Sequence, residues 1–135
     1  MSTIKAANVQ NTGSGAPTFK NSSGTEIGQL IKAWVNFDGT GTVSITDDFN
    51  VSSITDVNTG RFQINMTNAL SNANYVVGGS AGMNGDGYGA ILVFNDDTGA
   101  DGMTPTTSAF RIRTVQGNNL TFVDKDYVAV MVIGD

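Results

Sequence analysis

The chain has 135 residues, of which 39% are hydrophobic and 14% charged, and its net charge is −5. A chain of this length forms one domain with a modest core, and so few charged side chains leave its surface polarity to Ser, Thr, Asn and Gly. Seven basic residues against twelve acidic ones disfavour nucleic acid as a partner, and the absence of His and Cys excludes disulfides, imidazole catalysis and zinc sites built on those residues.

Residues 1–30 carry few large apolar side chains and are interrupted by Gly and Pro. This composition predicts an extended N-terminal arm that neighbouring subunits hold in place, followed by a head over residues 31–135. The first residues lack the apolar run of a signal peptide, and no stretch reaches the roughly 18 uninterrupted apolar residues of a membrane span. We therefore expect neither export nor membrane insertion.

The head begins with residues 31–56, which are rich in β-branched and aromatic side chains. In IKAWVNFD, residues 31–38, period-two alternation places Ala33, Val35 and Phe37 toward the core and Trp34 on the opposite face. The Asp-Gly pair at 38–39 predicts a tight connection into a second strand over residues 42–46. A further strand is predicted around residues 49–54.

The alternation is most regular in RFQINMT, residues 61–67, which points Phe62, Ile64 and Met66 toward the core. VNTG, residues 57–60, precedes this strand and predicts a turn. Shorter apolar runs at residues 73–79 and 89–96 predict two further strands. SAFRIRTV, residues 108–115, alternates again and predicts a third.

The last strand, DYVAVMVIG at residues 126–134, is apolar on both faces. A strand with that pattern lies either in the middle of a sandwich or under another subunit. With eight or nine strands and no helix, the chain is expected to be all-β, an antiparallel β-sandwich of jelly-roll type that follows the extended arm. The strand order stays open between a sandwich and an interleaved trimer.

Large aromatic side chains with a polar group are candidates for a subunit interface. Trp34 lies on the polar face of its strand, where it is either a platform for a ligand or a contact with the next subunit. The second role is the commoner one in a small oligomer. We therefore predict an oligomer interface that contains Trp34, Tyr127, Val128, Val130 and Val132.

Two loops after residue 78 are candidates for receptor binding. The first is GGSAGMNGDGYG at residues 78–89, where glycines surround Met83, Asn84, Asp86 and Tyr88. Sugar sites combine an aromatic face with short polar side chains in this way. A surface loop that only links two strands has the same composition, so both interpretations stay open.

The second loop, FNDDTGADGMTP at residues 94–105, places Asp96, Asp97 and Asp101 within six positions. These side chains extend the receptor-binding candidate, and oxygen-rich loops of this kind also hold calcium. However, the spacing is not that of an EF-hand, and Asp is common in turns because it bonds to its own backbone. We predict no metal site and no cofactor. We also predict no catalysis, since Glu26, a further carboxylate considered for glycoside hydrolysis, lies in the arm.

Arg111 and Arg113 lie on one face of their predicted strand, with no acidic residue between them. They are candidates for contact with an anionic glycan. Alternatively, they make that face soluble and pair with aspartates of the neighbouring loop, which is the commoner arrangement of surface arginines.

Residues 32–77, KAWVNFDGTGTVSITDDFNVSSITDVNTGRFQINMTNALSNANYVV, resemble a module of bacteriophage tail-fibre and tail-tip proteins, especially those of marine and cyanobacterial phages. The shared pattern is AWVNF-[ND]-G-T-G-T, then FNVSSITD-x-G-T-G, a strand and A-x-P-x-A-x-Y. The arm resembles the start of short proteins of the same kind, so the matches cover residues 1–78. The chain departs from the pattern at residues 56–60, DVNTG, and at residues 69–73, which lack the proline. Both departures change turns.

This resemblance implies a virion protein that is assembled in the host cytoplasm as a homotrimer, docks to other tail or virion proteins through its arm, and displays its head. Two functions are open. The chain is either a tail-fibre or tail-tip protein that attaches to host surface carbohydrate, or a structural connector or head decoration that binds no receptor. A small carbohydrate-binding module of a host enzyme is a third possibility, and it predicts a monomer with a free N-terminal linker.

Overall fold

The structure is a computed structural model and describes residues 6, 8–9, 17–82, 90–94, 102–117 and 121–134. The contacts of the chain divide it into two compact units, Met1–Leu30 and Ile31–Asp135. Within the first unit, β1 (Phe19–Lys20) pairs antiparallel with β2 (Glu26–Gly28). The Asn21 carboxamide oxygen accepts hydrogen bonds from the backbone N–H groups of Ser23 and Thr25 at 3.1 and 2.9 Å. The described part of this unit is thus a short hairpin closed by an Asx turn.

The second unit is the head, and its eight strands form one sheet. Every neighbouring pair is antiparallel. No helix occurs in the described residues of either unit. The predicted all-β antiparallel sandwich is confirmed. Its strands are β3 (Ile31–Asp38), β4 (Ser44–Phe49), β5 (Val51–Asn58), β6 (Arg61–Met66), β7 (Val76–Ala81), β8 (Ala90–Phe94), β9 (Ala109–Gln116) and β10 (Val128–Ile133). Across the sheet they lie in the order β4-β3-β10-β7-β8-β9-β6-β5.

The sheet folds over so that its two halves pack face to face around the core. We call β4-β3-β10-β7 the first layer and β8-β9-β6-β5 the second layer; they join where Ala81 of β7 pairs with Ala90 of β8. Phe37 of β3 meets Phe62 of β6 edge to face, with ring centroids 5.1 Å apart. All side chains predicted to point inward from β3 and β6 lie in this core. Its members are Ala33, Val35, Phe37, Val51, Phe62, Ile64, Met66, Tyr75, Phe110, Ile112, Val128, Val130 and Val132.

The strand predicted around residues 49–54 is present as β5, but it begins two residues later and runs further, because the chain turns a corner at Asn50. β4 ends at Phe49 and β5 begins at Val51, and Asn50 between them has a φ of 58°. Its side-chain Nδ2 donates to the backbone oxygens of Lys32 at 3.0 Å and Asn68 at 3.2 Å, while its Oδ1 accepts from the Asn68 N–H at 2.8 Å. Asn tolerates this left-handed backbone, and its side chain here ties the corner to both flanking segments.

The turn predicted at residues 57–60 is confirmed, and it links β5 to β6. Gly60 has a φ of 64°, and its N–H donates to Asp124 Oδ1 at 2.6 Å. A Cβ at this position would lie 2.6 Å from both the Thr114 oxygen and the Val123 nitrogen. The turn therefore requires glycine for two reasons, its left-handed backbone and the close approach of two other segments.

The last strand lies in the middle of the sandwich, which is the first of the two positions predicted for it. β10 lies inside the first layer, between β3 and β7. Its buried side chains, Val128, Val130 and Val132, face the core, whereas Met131 and Ile133 on the other face are 41% and 38% exposed. A central position explains one apolar face of this strand, and the other apolar face is open to solvent in the single chain.

Tyr75 anchors the segment between β6 and β7 to the core. Its ring packs edge to face on Phe110 at 5.7 Å, and its hydroxyl donates to the backbone oxygens of Thr106 and Ala109 at 3.0 and 3.2 Å. Burial raises the pKa of Tyr75 to about 12. This residue is the tyrosine of the A-x-P-x-A-x-Y pattern.

We expect the head to lose stability as the pH rises from about 10 to about 12, because Tyr75 ionises in the unfolded chain before it ionises in the folded one. The stability that the neutral Tyr75 side chain contributes is fully present below pH 10. Tyr75→Phe removes this alkaline loss and, at pH 7, lowers the free energy of unfolding by about 1 kcal/mol through the missing hydrogen bond. Urea titrations of both proteins at pH 7 and pH 11 check this; equal losses on going to pH 11 would contradict it.

Candidate functional site

The side chains predicted to bind a receptor all lie outside the described residues. They are Met83, Asn84, Asp86, Tyr88, Asp96, Asp97 and Asp101. Receptor contact through these two loops therefore stays a prediction. The described head offers two other surfaces, one on the outer face of each layer.

The outer face of the first layer carries a row of large apolar side chains in cross-strand register. Phe49 of β4 stands opposite Trp34 of β3, and Met131 of β10 stands opposite Trp34 on the other side. Phe49 is 53% exposed and Met131 is 41% exposed. We call Phe49, Trp34 and Met131 the apolar stripe. Side chains placed in this way across neighbouring strands contact one another and form one continuous surface.

The apolar stripe extends along the first layer and forms part of a groove. At the end of the layer where β3 begins, Ile133 pairs with Ile31 and with Val76, and all three side chains are exposed. Trp34 and Met131 are themselves part of the lining of an open groove of ≈ 580 Å³, which they share with Ile31, Gly79, Ser80 and Ala129. A bulky apolar row that runs into an open groove is an unusual surface for a single domain.

The structure divides the predicted oligomer interface between the surface and the core. Trp34 is half-buried on the outer face, and Tyr127 is 52% exposed. Val128, Val130 and Val132 are core residues of the single chain, between 0% and 4% exposed. They point inward because side chains alternate along a strand, so the three valines and Met131 lie on opposite faces. If β10 contacts another subunit, it does so through Met131 and Ile133.

A basic cluster lies on the outer face of the second layer. Arg61 of β6 and Arg113 of β9 are directly opposite each other, and their guanidinium carbons lie 4.3 and 5.5 Å from the centre of the Phe122 ring. Like charges in this register repel, and the negative face of the aromatic ring offsets part of that cost. Phe122 itself is fixed by a β-bridge to Val115 of β9.

Next to this cluster, five side chains form a hydrogen-bonded series that we call the polar ladder: Arg111, Gln63, Asn65, Ser53 and Thr55. Arg111 Nε donates to Gln63 Oε1 at 3.2 Å, and Gln63 Nε2 donates to Asn65 Oδ1 at 2.8 Å. Asn65 Nδ2 donates to Ser53 Oγ at 3.0 Å and to Thr55 Oγ1 at 3.3 Å. The sequence does not reveal this arrangement by itself, although the alternation in β6 and β9 predicts that its Arg, Gln and Asn lie on outer faces.

The carboxylates of the described residues are not gathered into a centre. Asp38 accepts hydrogen bonds from the Thr40 hydroxyl at 2.6 Å and the Thr40 N–H at 2.8 Å, and these bonds hold its pKa below the usual value. It acts as the first residue of the turn after β3. No three acidic, His or Cys side chains of the described segments come together in a way that could hold a metal ion.

Comparison with known proteins assigns neither a family nor a function to the chain. No family model matches the chain, and no curated protein matches it. Among solved structures, the chain is similar to the phiAB6 tailspike, crystallised in complex with three-repeated oligosaccharides of Acinetobacter baumannii surface polysaccharide, with 12% identity and a TM-score of 0.49. The match covers 96% of this chain and 30% of the tailspike chain. A likeness this weak assigns neither activity nor ligand. Among the described residues, none forms a helix long and apolar enough to cross a bilayer.

Proposed function

We propose that the chain is a non-enzymatic structural protein of a bacteriophage virion, a tail-fibre or tail-tip protein that forms a homotrimer and contributes to attachment to host surface carbohydrate. The resemblance of residues 1–78 to tail-fibre and tail-tip modules supports the placement in a virion. The absence of His and Cys supports a role without catalysis. In this proposal the arm docks to other virion proteins, and the assembly takes place in the host cytoplasm.

The apolar stripe is the observation that carries the oligomeric part of the proposal. It exposes Phe49 and Met131 to solvent on a domain whose surface holds few charges. An exposed apolar patch of this kind marks a contact with another molecule. Two further exposed side chains, Ile133 and Val76, extend it along the same layer.

A second copy of the chain is the partner that fits this surface. The same face carries the exposed Phe49 and, next to it, the groove whose lining includes Trp34, Met131 and Gly79. When Phe49 of one copy enters the groove of the next, the contact is head to tail, and such contacts close into rings when the rotation between copies allows it. A closed ring of copies also lets a small domain bury more surface than it does alone.

Glutamate substitutions in the apolar stripe test this interface. We expect Phe49→Glu and Met131→Glu to convert the oligomer to monomers, because each would bury an unpaired charge between subunits. Both positions are exposed in the single chain, so neither substitution should disturb the fold of the monomer. Sedimentation equilibrium measures the mass, and circular dichroism checks that each variant keeps the fold. We expect the dissociation constant of the oligomer to rise by about a hundredfold or more.

Ala73→Glu is the matched control, since it adds the same charge at an exposed position of the loop before β7. It should leave the mass of the wild-type protein unchanged. Folded stripe variants that keep the wild-type mass would remove the stripe from the interface. A wild-type protein that is monomeric from the start would instead favour a solitary binding module.

A further inference from the structure

The basic residues of the chain are unevenly distributed in the fold. The chain has seven basic residues, and its three arginines are Arg61, Arg111 and Arg113. All three lie on the outer face of the second layer, on β6 and β9, where Arg61 pairs with Arg113 and Gln63 pairs with Arg111. In a chain with a net charge of −5, one face therefore gathers every guanidinium group.

We infer that the polar ladder, Arg111 with Gln63, Asn65, Ser53 and Thr55, is a binding site for acidic carbohydrate, with the carboxylate of a uronic acid residue on Arg111. This inference rests on the proposed attachment function and names its ligand class and site. It places the contact on the flat outer face of β5, β6 and β9, and not in the two loops after residue 78.

Arg111 has the geometry for a carboxylate. Its Nε is held by Gln63 and its Nη1 by the Gly102 oxygen, at 3.2 and 3.1 Å. Within the described segments these two bonds fix the guanidinium plane and leave N–H groups on both Nη atoms for an incoming anion. A carboxylate accepts two parallel hydrogen bonds from such a pair, and these charge-assisted bonds are the strong ones.

The remaining side chains of the polar ladder match the hydroxyl groups of a sugar. Asn65 and Gln63 each donate and accept within the ladder, so their orientation is set before a ligand arrives. Ser53 and Thr55 accept from Asn65, which leaves their own hydroxyl protons to donate outward. A site whose polar groups already hold one another loses little conformational entropy on binding.

Arg61 and Arg113 favour an acidic ligand over a neutral one. Their guanidinium groups gather around the Phe122 ring at 4.3 and 5.5 Å, two residue pairs along the strands from Gln63 and Arg111. They add positive potential beside the polar ladder without having to contact the ligand. Such a local field raises the concentration of an anion near the site even on a protein of net negative charge.

Nuclear magnetic resonance of the full-length chain tests the inference. The ligand is trigalacturonic acid, and galactotriose is its neutral counterpart. The three arginine Nε–H signals are assigned with Arg111→Lys and the corresponding variants. We expect trigalacturonic acid to shift the Arg111 Nε–H signal and the carboxamide signals of Gln63 and Asn65. Galactotriose should shift them much less, and the indole signal of Trp34, on the other layer, should not move.

The affinity of two variants for trigalacturonic acid tests the contribution of Arg111. Arg111→Gln should weaken the binding of trigalacturonic acid by about tenfold or more, the effect of losing a charge-assisted contact. Lys20→Gln, which removes the same charge from the exposed hairpin of the first unit, should bind like the wild type.

Three results would overturn the inference: Arg111 signals that stay unmoved up to about 10 mM trigalacturonic acid, equal shifts with galactotriose, or undiminished binding by Arg111→Gln. The first two are measured on the wild-type protein, and the lysine variants serve there only to assign its three arginine signals. The mass of the same sample reports separately on the oligomer, so a monomer that binds and an oligomer that does not bind are told apart.

Discussion

Gly60→Ala is expected to lower the free energy of unfolding by about 3–5 kcal/mol, a large part of the stability of an ordinary domain. Gly60 has a φ of 64°, a backbone conformation that is strained for any residue with a Cβ. The added methyl group would also lie 2.6 Å from the Thr114 oxygen and the Val123 nitrogen. Both neighbours are backbone atoms, so the turn and the segment that carries Asp124 would have to separate.

Gly41→Ala isolates the backbone part of this effect. Gly41 has nearly the same φ, 61°, and nothing lies within 4 Å of a Cβ placed there. The Gly41→Ala variant should therefore lose only about 1–2 kcal/mol of unfolding free energy, the cost of the left-handed backbone. Guanidinium titrations of the two variants give the difference directly. Equal losses of unfolding free energy in the two variants would mean that the close approach of Thr114 and Val123 does not contribute to the requirement for glycine at position 60.

Asn50→Ala is the second substitution with a large expected effect, about 3 kcal/mol. Alanine would keep the φ of 58° only at a cost, and it would lose the bonds that the carboxamide makes to Lys32 and Asn68. The corner between β4 and β5 would then lose its ties to β3 and to the loop after β6. Thermal and urea unfolding of the variant measure the loss.

Asn50→Gly separates the two contributions at this corner. Glycine adopts the left-handed backbone freely, so the loss should fall to about 2 kcal/mol, the part due to the missing side-chain bonds. Asn50→Asp keeps the acceptor for the Asn68 N–H but has no N–H to donate to the Lys32 oxygen. It should lie between the wild type and alanine. An alanine variant as stable as the wild type would show that the corner does not depend on this side chain.

The fold could be predicted from the sequence wherever one strand face is buried and the other is polar. β3 and β6 alternate without interruption, so the apolar pattern alone predicts that Phe37 and Phe62 lie in the core. The corner at Asn50 could not be predicted in the same way. The apolar pattern continues across it, and the only local signal is an Asn that accepts a left-handed backbone, which most Asn residues do not adopt.

The candidate surfaces were predictable only in part. Alternation placed Trp34 on an outer face, but its neighbours Phe49 and Met131 come from strands that are distant in sequence. The same limit hid the polar ladder, because the pairing of Gln63 with Arg111 brings together residues 48 positions apart. Strand alternation fixes which face a side chain takes, whereas strand order decides which side chains meet there.

The valines of the last strand cannot be placed from the pattern of that strand alone. A strand that is apolar on both faces indicates an interface on either face, so the pattern predicts Val128, Val130 and Val132 in the same interface as Tyr127. The structure puts β10 between β3 and β7, which uses the valine face for the core. The outward face with Met131 is then the one that another subunit can meet.

The two layers of the head therefore present different chemistry to the outside. The first layer shows the apolar stripe, and the second layer shows guanidinium, carboxamide and hydroxyl groups. An oligomer built through the first layer would leave the second layer exposed on its periphery. That arrangement suits a displayed head whose outer surface contacts carbohydrate, and it gives each layer a separate role.

The absolute mass of the purified full-length protein, measured by light scattering, tests the central claim most directly. One chain has a mass of 14.1 kDa. A mass near three chains that falls to one chain in Met131→Glu is the result we predict for a trimer held by the apolar stripe. A mass of one chain for the wild-type protein at all concentrations would contradict the assembly and with it the tail-fibre proposal.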